Sequence, residues 1–216
     1  MLTRSRLASV FARAFAGPAE HTVAAPTTVG VRPRCMRHVA GCDVSPDLAY
    51  HTGHVWAREV APRRFAVGID DFAARLFGEA TRVTPPALGS IVVQGGRAGR
   101  VRAGPRAADF VSAVGGEVVA VNPRLAAEPG LVTRDPYGAG WIFVVRIGDS
   151  GADPRTQLLS GALAETWTRD ACDELELLLD TPDGWACLAD GASGVDRAAS
   201  LESCAWRPLA RRFLRI

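Results

Sequence analysis

A mainly β fold, a flattened sandwich or barrel carrying short helices and followed by an α-helical C-terminal extension, is predicted by three features of the sequence. Short alternating or β-branched runs recur from Tyr50 to Ile147, punctuated by Gly and Pro turns at roughly 8–12-residue spacing. Hydrophobic residues make up 48% of the chain and charged ones 22%, enough to fill a core and too apolar for wholesale disorder. Beyond Gly148 the apolar period lengthens to that of a helix.

The elements follow in order. Residues 1–45 form a basic, largely disordered tail, with six arginines and one glutamate in the first forty positions and a Pro-, Thr- and Ala-rich stretch from Gly17 to Val31. "HVWAREV" alternates, and after a Pro-containing turn "RRFAVGID" pairs with it as a hairpin. "DDFAARLFG" changes period: Phe72, Leu76 and Phe77 share a helical face, Asp70 or Asp71 caps the start and Gly78 ends it. "ATRVTPP" and "GSIVVQGG" are short strands. Asp109–Val114 and Glu117–Val121 read as two more, flanking a Gly115-Gly116 turn. "PRLAAEPG" is a one- to two-turn helix with Pro at its start, and "GWIFVVRI" is a largely buried strand. In the extension, 149–216, Leu159, Leu163, Trp167, Ala171, Leu175 and Leu179 recur at four-residue spacing with Leu178 beside them. "WACLADG" is a short strand and turn. In "CAWRPLARRFLRI", Trp206, Leu209, Ala210, Phe213 and Leu214 form one stripe, with Pro208 in the first turn.

All 25 cationic residues are arginine; the chain has no lysine. No side-chain amine exists for a Schiff base or for a biotinyl or lipoyl amide. Five scattered cysteines (Cys35, Cys42, Cys172, Cys187, Cys204) are no disulfide scaffold and fit a reducing, cytoplasmic setting. No apolar run approaches the ~20 residues that span a bilayer. The opening "MLTRSRLASVFARAFAG" is Arg- and Ala-rich, so it reads as a frayed tail or, alternatively, as a targeting segment. No binding fold accompanies the six arginines of the first forty positions, so a solvated tail and no nucleic-acid partner are expected.

No nucleophile–base constellation is present. G-x-S-x-G, a Walker loop and a dinucleotide fingerprint are all missing, and "GDSGADP" is a linker. The chain is therefore expected not to be an enzyme. Cys35, His38 and Cys42 form C-x2-H-x3-C, a weak metal candidate, since structural zinc takes four ligands and no second pair lies nearby. His51 and His54 form H-x2-H at a strand start, where a structural role is the simpler reading. Trp56, Phe65 and Trp141 occupy inward strand positions and belong to the core.

Four collinear blocks, "YHTGHVWAREV", "VGIDDFAARLFG", "SAVGGEVVAVN" and "DPYGAGWIFVVRI", together resemble the H-protein of the glycine cleavage system. The resemblance spans Tyr50 to Ile147 and implies a lipoyl-type flattened β sandwich over residues 46–148. It also implies a lysine at a hairpin tip that carries lipoate between decarboxylase, aminomethyltransferase and dihydrolipoyl dehydrogenase. Asp109 matches the family's aspartate just after that turn. Counting back, the lysine position falls on Pro105, and one residue of slip would put it on Gly104 or Arg106. The acidic residue kept three positions earlier, which helps the lipoylating enzyme recognise the turn, falls on Arg102. The family's pocket for the loaded arm is altered too: Gly53 and Val55 flank His54, and Phe72 stands where some members have histidine.

These departures predict a chain without lipoate or any other cofactor, a scaffold or regulatory protein partner of lipoate- or redox-dependent machinery. Two other readings stay open: a cysteine-dependent metal or electron-transfer accessory built on Cys35, His38 and Cys42, and a nominal aminomethyl carrier.

Overall fold

The computed structural model describes residues 32–148, 153–180, 194–201 and 203–214. The N-terminal segment expected as a tail or targeting signal lies outside these residues up to position 31, as do "WACLADG", Cys187 and most of the linker after Gly148. Within the stretch expected to be a tail, however, β1 (Arg37–Val39) and β2 (Cys42–Val44) form an antiparallel hairpin. Its tight turn is Ala40-Gly41, both with positive φ.

Two further sheets form the sandwich. One has seven strands: β3 (Ala49–His51), β4 (Val55–Ala61), β5 (Arg64–Ile69), β7 (Ile91–Val92), β10 (Gly116–Val121), β11 (Phe143–Arg146) and β12 (Leu159–Ser160). Their order is β12-β3-β4-β5-β11-β10-β7. The other has three, β6 (Arg82–Thr84), β8 (Arg97–Ala103) and β9 (Arg106–Val111), in the order β6-β8-β9. The expected β4–β5 hairpin is present, with Val55 opposite Ile69 and Ala57 opposite Val67. Strand β12 comes from beyond Gly148 and pairs with β3, so the main sheet takes its outermost strand from the start of the extension.

The Asp109–Val121 region differs from expectation. β9 ends at Val111 and pairs with β8, while β10 pairs with β11 and β7, so the chain crosses between sheets at 112–115 rather than forming a hairpin. Gly116 opens β10 because a Cβ there would stand 2.3 Å from the Arg146 carbonyl oxygen, at a φ of 151°.

Alternation in β4 buries both faces of the large sheet. Val55 and Ala57 point into the sandwich with Phe65, Val67, Phe110, Val118 and Phe143. Trp56 points the other way, into a second cluster with Tyr50, Tyr137, Trp141 and Val144. Trp56, Phe65 and Trp141 are all core, but they serve two different layers. The indole of Trp56 lies over Gly68, where an added Cβ would meet the ring at 2.6 Å, and donates from Nε1 to the Pro136 carbonyl.

Helix α1 (Asp71–Phe77) begins as expected: Asp70 accepts from the Ala73 amide at 2.8 Å, and Gly78, with φ of 73°, ends it. "PRLAAEPG" is a single 3-10 turn, Pro123–Ala126, followed by an unforeseen helical turn, α2 (Leu131–Arg134). Helices α3 (Gly161–Leu179), α4 (Gly194–Ser200) and α5 (Ser203–Leu214) form the extension. Pro208 lies inside α5, exposed, rather than in its first turn. The α3 stripe is also rotated from expectation: Ala164, Thr168, Ala171, Cys172, Leu175 and Leu179 are buried, and Leu163 faces solvent. Extension residues Leu175, Trp206, Leu209 and Phe213 join the same core cluster as β9 and α1. None of the described helices is long and apolar enough to cross a membrane.

The chain's two tyrosines are both buried, and each is hydrogen-bonded. The Tyr50 hydroxyl accepts from the Ser45 amide at 2.8 Å, and the Tyr137 hydroxyl donates to the Asp43 carbonyl at 2.6 Å. Burial raises both phenols above their ordinary pKa. A raised folded pKa contributes stability that is complete below the unfolded value of about 10 and is lost as pH climbs through the folded one. Tyrosinate absorbance should therefore appear only together with the loss of near-ultraviolet circular dichroism above about pH 10; a phenol ionising in native protein would contradict this packing.

Candidate functional site

The turn matched to the carrier position is the β8–β9 hairpin. Val101 and Ala103 of β8 point inward and Arg100 and Arg102 outward, so the strand alternates as it approaches its end. Ala103 pairs with Arg106, which leaves a two-residue loop, Gly104-Pro105. Gly104 has φ of 57°, the Gly-X pattern of a type II′ turn, and Pro105 supplies the fixed negative φ that follows. Both residues are exposed, and a Cβ at Gly104 would meet nothing within 4 Å. This is a rigid, protruding tip suited to presenting a side chain, and no amine is there to present.

The flanks of the tip are occupied. Arg102 is exposed on the sheet rim. Asp109 is gripped from β8 by Arg100 Nε at 2.5 Å and Arg97 Nε at 2.8 Å. Arg106, next to the tip, donates to the Ala199 carbonyl of α4. Its guanidinium carbon lies 6.0 Å from the ring centroid of Trp206. Burial lowers its pKa. Trp206 is fully buried and donates from Nε1 to the Leu76 carbonyl at 2.7 Å, tying α5 to α1. Beside it, Arg100, Asp109, Arg207 and Arg211 border a shallow cleft of about 260 Å³.

Helix α5 runs from this point to the second part of the site. At its far end Phe213 approaches the His54 ring edge-on at 6.3 Å, and a Cβ on Gly53 would lie 3.5 Å from the Leu214 carbonyl. His54 is 2% exposed and stacks between Phe72, at 4.1 Å, and Trp167 of α3, at 4.5 Å. Its Nδ1 lies 2.8 Å from Asp70 Oδ2, so one carboxylate both caps α1 and fixes this imidazole. A cleft of about 360 Å³ opens beside the ring, bordered by Thr52, Asp170, Glu174 and Arg212. Side chains of α3 and α5 thus line the surroundings of His54.

His54 was legible only as a structural histidine; its pairing with Asp70 was missed, although the signal existed. Val55 opposite Ile69 in the β4–β5 hairpin makes positions 54 and 70 neighbours across the next rung. The roles of Trp167, Trp206 and Phe213 around the hairpin and His54 carried no such signal.

The metal candidates diverge. Cys35 is exposed, His38 pairs at the surface with Asp43 at 3.0 Å, and Cys42 is turned inward, its Sγ 3.7 Å from Cys172 Sγ. No group of three or more His, Cys, Asp or Glu side chains able to hold a metal occurs among the described residues.

A seven-stranded sheet faced by a three-stranded one whose hairpin presents a tight exposed turn is the architecture of a lipoyl-type carrier domain. The family model for the glycine cleavage H-protein matches residues 48–170, more than half of the chain, and the protein belongs to that family. The glycine cleavage system H protein of Marinobacter nauticus is 38% identical over 109 residues, covering 50% of this chain and 84% of its own. That of Xanthomonas campestris is 41% identical over 107 residues, 50% and 82% of the two chains. The crystal structure of the glycine cleavage system H protein from Mycobacterium marinum superposes with a TM-score of 0.50 at 26% identity, over 59% of this chain and 99% of that one.

Proposed function

We propose that this chain is a non-lipoylated H-protein: it keeps the framework, carries no lipoate, catalyses no reaction of its own and acts as a scaffold or regulatory partner of lipoate-dependent machinery. The observation that carries the reading is the exposed Gly104-Pro105 turn in a chain without lysine. A lipoyl amide needs an ε-amine, and no other side chain supplies one. Arg102, where an acid would meet the lipoylating enzyme, adds a repelling charge, and α5 lies along the route from the hairpin to His54.

Two measurements test this. Intact-mass analysis after co-expression with lipoylation enzymes should give the unmodified mass, and a lipoyl-sized adduct would refute the reading. Purified protein added to a reconstituted glycine cleavage assay should inhibit in competition with the lipoylated carrier. Undiminished glycine turnover at a large excess of this chain would remove the proposed partnership. Pro105→Lys by itself should stay unmodified, because Arg102 remains beside the new amine; efficient acylation of that variant would show that the recognition charge is unimportant here.

A further inference from the structure

Two thiols that are 130 residues apart in sequence meet in the interior: Cys42 of β2 and Cys172 of α3, with their sulfurs 3.7 Å apart. Both are free, and both are buried, with Cys42 fully inaccessible. They join the first described hairpin to the longest helix of the extension, at a place where α3 lies directly against β2. Nearby, Arg37 of β1 pairs with Glu165 of α3 at 3.1 Å; in the interior the touching atoms are the two sulfurs.

We propose that Cys42 and Cys172 form a disulfide when the protein meets a low-molecular-weight disulfide oxidant, a modification that staples the C-terminal helices to the β domain. A disulfide sets its sulfurs about 2.05 Å apart, so closure requires a shift of roughly 1.6 Å, within the reach of χ1 rotation on two facing side chains. The exchange balances: both S–H bonds break, one S–S bond forms between Cys42 and Cys172, and the oxidant's disulfide accepts the two electrons and two protons to leave as two thiols.

Burial sets the kinetics. The Cys42 thiol is held protonated by its contact with Cys172, by desolvation and by the nearby Asp71 and Asp70 carboxylates, so in the folded protein Cys42 is a poor nucleophile. Reaction proceeds through opening of the hairpin, whose strands are three residues each and, among the described residues, pair only with one another. The pair is therefore slow to respond to a brief exposure and committed once closed. The closed state holds α3, and with it Trp167, against His54.

The experiment uses the full chain with Cys35→Ser, Cys187→Ser and Cys204→Ser, so that only the proposed pair remains. After prolonged incubation with oxidised glutathione, mass analysis should show the loss of two hydrogens and a Cys42–Cys172 cross-linked peptide. The melting temperature should rise by about 10 °C, since the link closes a loop of more than a hundred residues, and dithiothreitol should return it. A further Cys42→Ala substitution should abolish both changes. Two thiols still titrating after denaturation, a glutathionylated product without the cross-link, or a cross-link that lowers the melting temperature would each overturn the proposal.

Discussion

Trp206→Ala lowers the melting temperature of this protein by about 10 °C, corresponding to a loss of about 3–5 kcal/mol. The indole is among the largest fully buried side chains, packed on Phe77 at 5.5 Å. Removing it leaves a cavity between α1 and α5 and strands the Leu76 carbonyl that its Nε1 satisfied. The consequence is not confined to stability. Without the indole, Arg106 loses a cationic contact beside the Gly104-Pro105 turn, and hydrogen exchange should accelerate in β9 and α5 more than in β4 or β5. Leu177→Ala, at an exposed position of α3, should by comparison change stability by less than about 0.5 kcal/mol. If both substitutions behave alike, α5 is not bound to the hairpin as described.

That contact also shows where the sequence stops speaking. The sandwich was legible because β4, β5 and β11 alternate or run β-branched, and because α1 carries both its cap and its terminating glycine. The hairpin strand β8 was overlooked, for a physical reason. From Arg100 to Ala103 it alternates charged and apolar residues correctly, but a bulge between Arg97 and Gly99 breaks the period, and three arginines mask a strand as a loop. The α3 stripe failed differently. Strict four-residue spacing drifts by about 40° per step on a helix of 3.6 residues per turn, so Leu163 and Leu175 cannot share a face. The buried set 164, 168, 171, 175, 179 mixes steps of three and four and stays in register.

The resemblance points to Pro105 as the lysine position, and Gly104-Pro105 is the two-residue loop of the β8–β9 hairpin, a loop length that fixes its own register. What covers its neighbours could not be read from local pattern. Arg106 meeting Trp206, and Cys42 meeting Cys172, join positions a hundred or more residues apart, and nothing in either local pattern names the other partner.

Asp70 is the residue on which the second large effect depends, because its two oxygens do separate work. Oδ1 accepts from the Ala73 amide and caps α1; Oδ2 holds His54 Nδ1 in a site with almost no access to water. Asp70→Ala removes both, at about 0.5–2 kcal/mol for the cap and a further ~1–3 kcal/mol for a buried ring nitrogen left without a partner. Asp70→Ser separates them, since serine is an equally good N-cap but too short to reach the imidazole. The serine variant should recover the capping part of the loss and none of the rest. Its residual deficit should vanish when His54 is also replaced by Phe, which keeps a ring between Phe72 and Trp167 and needs no hydrogen bond. A double-mutant cycle by chemical denaturation reads this directly, with an expected coupling of about 1–3 kcal/mol. Full recovery by serine alone would reduce Asp70 to a helix cap and leave His54 without a partner it depends on. A deficit shared by serine and alanine, and relieved by the second substitution, identifies the carboxylate as what fixes the His54 ring beside Phe213 of α5.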